Sequence, residues 1–324
     1  MKKMKIVALG LILILLVGIV VTYFFQPRLI ERAIYRMGFQ EQVCDPMEKD
    51  ENQPTSLTNF VVAGDFGVNE NSLKTLQNMK SANPEIILFV GDLSYDLGGA
   101  EEWFDFTQFL ENYKIYPTIG NMDIQEKNTY LKHYGLENPY YSFDYENIHF
   151  LSVSTDESTD ERLNQIEFLQ NDLHSASIDT QIDWIIVFMH KTLYSSETTE
   201  TSVNLRNEFQ TIFDSYGVDL VINAHQHAYE RTKPLLFNNT ITDDSICSYV
   251  NPNGQIYITV GTGGHSHSPF DKKAEWSVVQ NDNDYGFLNI SLLDGGAVLK
   301  GEFIANSGRV TDTFQISLVK NQIE

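Results

Sequence analysis

The chain has 324 residues, a hydrophobic fraction of 42% and a formal net charge of −22 at pH 7. This length and apolar content are ample for a globular core and exclude a chain that is disordered throughout. The excess of acidic residues disfavours nucleic acid as a partner. An anionic substrate would therefore have to be attracted by positive charge at its own site.

The amino-terminal part of the chain contains residues 6–25, which are apolar apart from Thr22 and follow three lysines. A stretch of about 20 such residues matches the thickness of a bilayer. No small-residue cleavage site follows it, which favours an uncleaved signal anchor over a cleaved signal peptide. We therefore expect a short basic cytoplasmic end at residues 1–5, a transmembrane anchor at 6–25 and a linker at 26–57.

This interpretation predicts a single-pass protein of the cell membrane, bound to the membrane through its anchor, with its folded domain outside the cytoplasm. The protein would be secreted if the anchor segment were cleaved. The chain has 2 cysteines, Cys44 and Cys247, which excludes a cysteine-rich metal site. The two could pair in an oxidising compartment, and two unpaired thiols are equally compatible with the sequence.

Beyond the linker, short apolar runs alternate with amphipathic segments, a pattern that predicts parallel strands joined by helices. The first helices are expected at residues 71–82, 101–113 and 124–134. Glu146 and Asn147 then separate two strand-like runs, which predicts a hairpin over residues 140–145 and 148–154.

The second half of the chain changes in character. Two further helices are expected, at residues 162–175 and 204–216, and mainly strands follow, at residues 255–260, 286–292, 297–305 and 311–318. We therefore expect one α/β domain over residues 58–320, in which parallel strands with helices are closed by antiparallel strands of a second sheet.

Polar side chains suited to binding metal follow five of the predicted strands. They are Asp65, Asp92, Tyr95, Asn121, His190, His225 and His227. Taken singly, each has an ordinary explanation as a turn residue, a packed aromatic or a buried histidine. The carboxyl ends of parallel strands meet at one edge of a sheet, where α/β folds build their sites. Their joint placement therefore predicts a metal centre at this edge.

The chemistry of these groups suits two adjacent ions. Asp92 could bridge both ions, because a carboxylate offers about four lone-pair positions. Tyr95 is the diagnostic residue. A phenol has a pKa of about 10, so it ionises at neutral pH only beside a strong Lewis acid. Ferric iron fits this requirement, whereas Mg²⁺ and Ca²⁺ do not favour imidazole ligands.

The motifs that contain these residues resemble those of the calcineurin-like metallophosphoesterases, and specifically their purple acid phosphatase branch. They are Gly64-Asp65-Phe66-Gly67, Gly91-Asp92-Leu93-Ser94-Tyr95, Gly120-Asn121 and His225-Gln226-His227-Ala228-Tyr229-Glu230-Arg231. The resemblance spans residues 58–318. It implies a four-layer α/β/β/α sandwich with two mixed β-sheets.

The resemblance also implies a set of cofactors. Ferric iron would be held by Asp65, Asp92, Tyr95 and His227. A second divalent ion (Fe, Zn or Mn) would be held by Asp92, Asn121, His190 and His225. The implied activity is hydrolysis of phosphate esters by attack of a metal-bound hydroxide.

The chain departs from the family pattern at the proton donor. Met122 stands where the family has a histidine that binds phosphate and assists the leaving group, and no histidine lies between residues 191 and 224. A glycine-rich segment carries two candidates to replace it, His265 and His267. A loop histidine that faces solvent is the favoured interpretation of each.

Two functions are therefore compatible with the sequence. One is a membrane-anchored phosphoesterase with two metal ions, and the other is a metal-binding homologue with weak or no catalysis. Outside the ligand set, Asp123 is expected to support its turn and His149 to be structural. We also expect Glu230 and Arg231 to form an ion pair that braces the ligand loop.

Overall fold

The computed structural model describes residues 58–95, 99–156 and 158–319. The predicted cytoplasmic end, anchor and linker lie outside these residues, and the domain boundaries stay a prediction. Cys247 is disulfide-bonded, and Cys44 lies outside the described residues.

The described residues contain sixteen β-strands. In chain order they are β1 Thr58–Ala63, β2 Ile86–Val90, β3 Lys114–Thr118, β4 Tyr141–Tyr145, β5 Ile148–Val153, β6 Trp184–Met189, β7 Leu220–Asn223, β8 Tyr229–Thr232, β9 Leu235–Leu236, β10 Thr240–Ile241, β11 Ser248–Val250, β12 Ile256–Val260, β13 Ser277–Asn281, β14 Gly286–Leu293, β15 Val298–Ala305 and β16 Val310–Ser317.

Six α-helices accompany these strands in the described part of the chain. They are α1 Glu70–Ser81, α2 Ala100–Thr107, α3 Lys127–Tyr134, α4 Thr159–Ile178, α5 Glu200–Leu205 and α6 Thr211–Tyr216. Short 3₁₀ turns follow α2 and precede α3, and a π-helical turn at Arg206–Gln210 joins α5 to α6. The helix predicted at residues 204–216 is therefore continuous but locally widened.

Two seven-stranded sheets carry the fold. The first has the order β11-β16-β15-β14-β1-β2-β3, and the second has the order β13-β8-β12-β7-β6-β5-β4. Strands β1, β2 and β3 pair in parallel, whereas β14 pairs antiparallel with β1. In the second sheet β5, β6 and β7 pair in parallel and β4 pairs antiparallel with β5. Both sheets are mixed, as the resemblance implies.

Alternation of side chains along the strands builds the layers. Along β6, Ile186 and Phe188 enter the larger apolar cluster, between the sheets, while Val187 and Met189 enter a smaller one that includes α4 and α6. The larger cluster also contains side chains from α1, α2 and α3. The order is thus helices, sheet, sheet, helices, which confirms the predicted four-layer α/β/β/α sandwich.

The prediction of a single-pass membrane protein is wrong. Within residues 58–95, 99–156 and 158–319, no helix is both long enough and apolar enough to cross a bilayer. The longest, α4, has 20 residues but carries charged side chains along its length, among them Glu161, Glu167 and Asp172. Residues 6–25, on which the prediction rests, lie outside the described residues.

The predicted ion pair between Glu230 and Arg231 is wrong, because Arg231 pairs with Asp312 instead. The Arg231 guanidinium is fully buried and binds the Asp312 carboxylate twice, with Nε–Oδ2 and Nη2–Oδ1 distances of 2.6 and 2.9 Å. Glu230 instead accepts hydrogen bonds from Ser196 and Gln280. Successive residues of a strand point to opposite faces, so Glu230 and Arg231 of β8 cannot pair. The Arg231–Asp312 pair joins the two sheets, because β8 and β16 belong to different ones.

His149 on β5 is buried between two carboxylates, which supports its structural role. Its Nδ1 lies 2.7 Å from Asp144 Oδ1 and its Nε2 lies 2.8 Å from Asp172 Oδ2. Burial alone would lower the pKa of His149, but the hydrogen bonds to Asp172 and Asp144 outweigh it and raise the pKa. The imidazole thereby ties the β4–β5 hairpin to α4.

This cluster predicts a pH-dependent contribution to stability. Because the folded-state pKa of His149 is raised, its contribution is complete below the unfolded pKa of about 6.5 and is lost as pH rises through the folded value. His149→Gln should lower the free energy of unfolding by about 2 kcal/mol at pH 5.5, the scale of hydrogen bonds to charged groups, and by less at pH 9. Urea unfolding at both pH values measures this. His174→Gln, on the exposed face of α4, is the control. An equal effect of His149→Gln at both pH values would contradict the assignment.

Candidate metal centre

The seven predicted ligands lie at the carboxyl ends of five strands. Asp65 follows β1, Asp92 and Tyr95 follow β2, and Asn121 follows β3, all in the first sheet. In the second sheet, His190 follows β6, and His225 and His227 follow β7. The structure brings all seven side chains together where the same ends of the two sheets meet.

The backbone at four of these seven positions is strained. Asp65, Asp92, Tyr95 and His225 have φ angles of 59°, 52°, 66° and 68°, in the left-handed region that residues with a Cβ rarely adopt. Each such residue costs on the order of 1–3 kcal/mol, and strain of this kind concentrates at functional sites. These sharp turns lie where the side chains of the site approach one another.

One half of the site contains Tyr95, Asp65 and His227. The Tyr95 hydroxyl donates to Asp65 Oδ1 at 2.7 Å and lies 2.8 Å from His227 Nε2. His227 Nε2 is 3.6 Å from the same oxygen of Asp65. A phenol, a carboxylate and an imidazole thus point at one small volume.

The other half contains Asp92, Asn121, His190 and His225. His190 Nε2 lies 3.1 Å from Asn121 Oδ1, 3.2 Å from His225 Nδ1 and 3.3 Å from Asp92 Oδ1. One ligand atom from each of Asp92, His190 and His225 falls within 4.8 Å of the others. This spacing suits a single ion at the centre of the group.

Asp92 and Asp65 connect the two halves. Asp65 Oδ2 accepts a hydrogen bond from the backbone N–H of His225 at 2.7 Å, while the other oxygen, Oδ1, accepts the bond from Tyr95. Asp92 contacts His190 in the second half, and its charge and hydrogen bonding also act on Tyr95 in the first. Asp92 therefore interacts with residues of both halves.

Neighbouring groups hold the ligands in place. The buried Asp123 carboxylate accepts the backbone N–H groups of Asp92, Leu93 and Gly120 at 2.8, 2.9 and 2.9 Å. The role predicted for Asp123, support of the turn, agrees with these bonds. His190 Nδ1 donates to the Val90 carbonyl at 2.9 Å, which leaves Nε2 to face the centre.

The glycines beside the ligands are required by space. A Cβ on Gly120 would lie 2.2 Å from Asp92 Oδ1, and a Cβ on Gly91 would lie 2.6 Å from His190 Nδ1. Neither position accepts a larger residue without displacing a ligand.

The electrostatics of the site call for cations. Burial raises the pKa of Asp65 to about 7. Burial would lower the pKa of His190, but Asp92 outweighs it and raises the value to about 9. Burial, followed by the charge of His190, lowers the pKa of His225 to about 4. The buried carboxylates therefore favour positive charge at this site.

Tyr95 adds a constraint on the kind of cation. Burial, and then the charges of Asp65 and Asp92, raise the pKa of the phenol far above its ordinary value. Only a strong Lewis acid would ionise it here. Three imidazoles, two carboxylates, a phenol and an amide also form a donor set suited to transition metals. The residues present therefore fit a pair of transition-metal ions.

Met122, at the position of the missing proton donor, and the two candidate replacements have different surroundings. Met122 is 46% exposed beside the centre, and its backbone N–H donates to Asp92 Oδ1 at 2.8 Å. His265 stacks on the Tyr95 ring, with centroids 3.7 Å apart. His267 stacks on Tyr285 at 4.0 Å. Met122 is the residue whose side chain is both exposed and adjacent to the ligands.

Two charged residues near the centre escaped the sequence analysis. Lys191 directly follows His190 and forms an ion pair with Asp156. Both charges act on His225, Lys191 lowering its pKa and Asp156 raising it. The position of Lys191 next to a predicted ligand was the available signal, whereas nothing in the sequence relates Asp156 to it.

Family comparisons agree with this arrangement. The family model of calcineurin-like phosphoesterases matches residues 58–229. A second model, described as iron/zinc purple acid phosphatase-like protein C, matches residues 254–313. Between them the two models include all seven predicted ligands and the loop that carries His265 and His267.

Individual relatives have low sequence identity to this chain, but the matches cover most of its length. Acid phosphatase type 7 of Danio rerio is 29% identical over 81% of this chain and 68% of its own length. Probable inactive purple acid phosphatase 1 of Arabidopsis thaliana is 28% identical over 72% of this chain and 43% of its own. A purple acid phosphatase from yellow lupin seeds superposes with a TM-score of 0.70 and 26% identity over 81% of this chain and 54% of that structure. The chain thus spans about half the length of several proteins that it matches.

Proposed function

Because the chain belongs to the calcineurin-like phosphoesterases, in their purple acid phosphatase-like branch, we propose that it hydrolyses phosphate esters at a centre of two metal ions. The observation that carries the proposal is the convergence of seven donor side chains in two groups joined by Asp92. Sites of this kind hold two ions about 3.5–4 Å apart and stabilise both the attacking and the leaving oxygen.

We assign the two groups to different ions. Ferric iron would be held by Asp65, Asp92, Tyr95 and His227, because only this group contains the phenol. The second ion, divalent Fe, Zn or Mn, would be held by Asp92, Asn121, His190 and His225. When bound, the pair would supply Lewis acidity and a water of lowered pKa.

The chain's own residues prepare the site for an anionic ester. Three anionic side chains against two multivalent cations leave the centre positive, although the protein as a whole has a net charge of −22. Asp123 and the backbone bonds to Asp65 hold the ligand loops in place before substrate binds, which is the arrangement that electrostatic preorganisation requires. Met122 cannot donate a proton to the leaving group, because a thioether carries no acidic hydrogen.

A second candidate function rests on Met122. Loss of the proton donor with retention of the ligands would also suit a metal-binding protein with weak or no turnover. One relative is named a probable inactive purple acid phosphatase, which favours keeping this alternative.

Hydrolysis by metal-loaded and metal-stripped protein distinguishes the two functions. The phosphoesterase proposal expects release of p-nitrophenol from p-nitrophenyl phosphate, loss of that activity on chelation, and recovery on addition of iron with zinc. Full metal loading with no hydrolysis of any ester in an aryl and alkyl phosphate panel would establish the binding protein instead.

The iron assignment predicts a colour. Charge transfer from the Tyr95 phenolate to ferric iron should give a visible absorption band in the loaded protein. Tyr95→Phe should remove the band and leave the circular dichroism spectrum unchanged, since the hydroxyl contacts only site residues. Tyr285→Phe, at the other stacked tyrosine of this region, is the matched control. A loaded protein that contains zinc alone and no colour after iron-replete expression would refute the assignment.

A further inference from the structure

The segment Gly261–Ser268 follows β12 and passes directly against the Tyr95 half of the site. We call it the 261–268 loop. Its backbone is hydrogen-bonded to the turn after β1, which contains Asp65. Gly263 N–H donates to the Gly64 carbonyl at 2.8 Å, and His265 N–H donates to the Asp65 carbonyl at 3.0 Å. Near its end, Ser268 N–H donates to the His227 carbonyl at 2.9 Å. The loop is thus attached to two ligand-bearing segments.

Close packing keeps the loop in this position. A Cβ on Gly263 would lie 2.5 Å from the Gly64 carbonyl oxygen. Gly264 has a φ of 149°, and a Cβ there would lie 2.2 Å from Ser72 Oγ at the start of α1. The two glycines therefore let the loop pack against Gly64 and Ser72 more closely than any other residues would allow. This close packing fixes the position of the loop.

His265 uses this support to fix the plane of Tyr95. The two rings are 3.7 Å apart with an interplanar angle of 7°, a face-to-face stack. The same imidazole meets the His227 ring edge-on, at 5.1 Å and 82°. One side chain thus contacts two of the three residues that point into the first half of the site.

Ser266 contacts His227, the second residue of this half that His265 meets. Its Oγ lies 3.0 Å from His227 Nδ1 and 3.1 Å from His265 Nδ1. A hydrogen bond at Nδ1 leaves His227 Nε2 directed at Tyr95 and Asp65, which is how proteins commonly orient an imidazole that binds metal. The Ser266 hydroxyl thus links His265 and His227 through hydrogen bonds.

We propose that His265 and Ser266 are positioning residues for the ferric half of the centre. His265 holds the plane of the Tyr95 ring, and Ser266 holds the tautomer and orientation of His227. The inference rests on the proposed function for the identity of the ion. It gives His265 a role through Tyr95, in place of the proton donor or solvent-facing residue considered from the sequence.

Two consequences follow from this role. An aromatic stack stabilises a ring beyond the effect of its buried area, and loss of an outer partner typically lowers metal affinity 10–100-fold. Removal of His265 should therefore weaken iron binding within that range. It should also shift the phenolate absorption band, because the overlap between phenolate and iron depends on the orientation of the ring.

The experiment compares four variants of the full chain with the wild type. His265→Ala removes the stack, His265→Phe keeps an aromatic ring, and Ser266→Ala removes the bond to His227. His133→Ala is the matched control, because His133 stacks on Phe104 at 3.5 Å and 3° on α3, away from the site. The readouts are the position of the visible band, the iron affinity in competition with a chelator, and the NMR shift of the Tyr95 ring carbons in metal-free protein.

The expected result is a shifted band and a 10–100-fold weaker iron affinity for His265→Ala, with both largely restored in His265→Phe. Ser266→Ala should weaken affinity with a smaller shift of the band, and His133→Ala should change neither. A coloured wild type whose band and affinity are unchanged in His265→Ala would overturn the inference.

A colourless wild type would refute the ferric assignment without deciding the role of His265. The metal-free spectra then decide it, since they do not depend on the ion. A Tyr95 ring shift that moves in His265→Ala and returns in His265→Phe supports the inference. A shift identical in all variants overturns it.

Discussion

Asp92→Asn is expected to lower kcat/KM for aryl phosphates at least about 10³-fold, which corresponds to about 4 kcal/mol of transition-state stabilisation. The substitution keeps the shape of the side chain and the oxygen that accepts the Met122 N–H, but it removes the charge shared by the two halves of the site. The metal content should fall below two ions per chain. Elemental analysis and steady-state kinetics on the same preparation measure both effects.

Asp294→Asn is the matched control for this change. Asp294 is an exposed turn residue between β14 and β15, and its φ of 51° is close to the 52° of Asp92. The control therefore reproduces the backbone strain and the change in charge away from the ligands. It should leave metal content and activity unchanged. If Asp92→Asn kept the metal content and activity of the wild type, Asp92 would not be the shared ligand.

Met122→His is expected to raise kcat/KM for alkyl phosphates about 10²-fold, at the lower end of the 10²–10⁴-fold range of general-acid assistance. An alkoxide is a poor leaving group and needs a proton, whereas p-nitrophenolate leaves as a stable anion. Activity on p-nitrophenyl phosphate should therefore change little. The side chain of Met122 is 46% exposed, so an imidazole has room at this position.

Met122→Gln provides the comparison. Glutamine has a similar length and is polar, but its amide does not act as an acid. It should leave the steep dependence of rate on leaving-group pKa in place, while Met122→His should flatten it. Unchanged turnover of alkyl phosphates in Met122→His would show that another group already donates the proton.

The strands of the site were predictable because each is a short buried apolar run followed by a polar residue. Burial on both faces of β2 and β6 explains why these runs are continuous and do not alternate. The neighbouring Gly91 and Gly120 also marked the turns correctly, since space forbids larger residues there. Local pattern was therefore enough to place the turns that carry the predicted ligands, whereas the four layers followed from the family resemblance.

Contacts between distant segments were not predictable from local pattern. Arg231 pairs with Asp312, 81 residues away, and not with its neighbour Glu230. The stack of His265 on Tyr95 likewise depends on where the loop after β12 meets the loop after β2. A single sequence records which residues could form such contacts, but the sheet order decides which of them meet.

Anomalous diffraction at the iron absorption edge, from crystals of protein loaded with iron and zinc, would locate both ions relative to the seven side chains. We expect an iron peak about 2.0–2.2 Å from ligand atoms of Asp65, Tyr95 and His227. We also expect a second metal peak about 3.5–4 Å away beside Asn121, His190 and His225, with Asp92 between the two. Peaks only at surface residues, or one ion bound by histidines with Tyr95 outside coordination distance, would contradict this expectation.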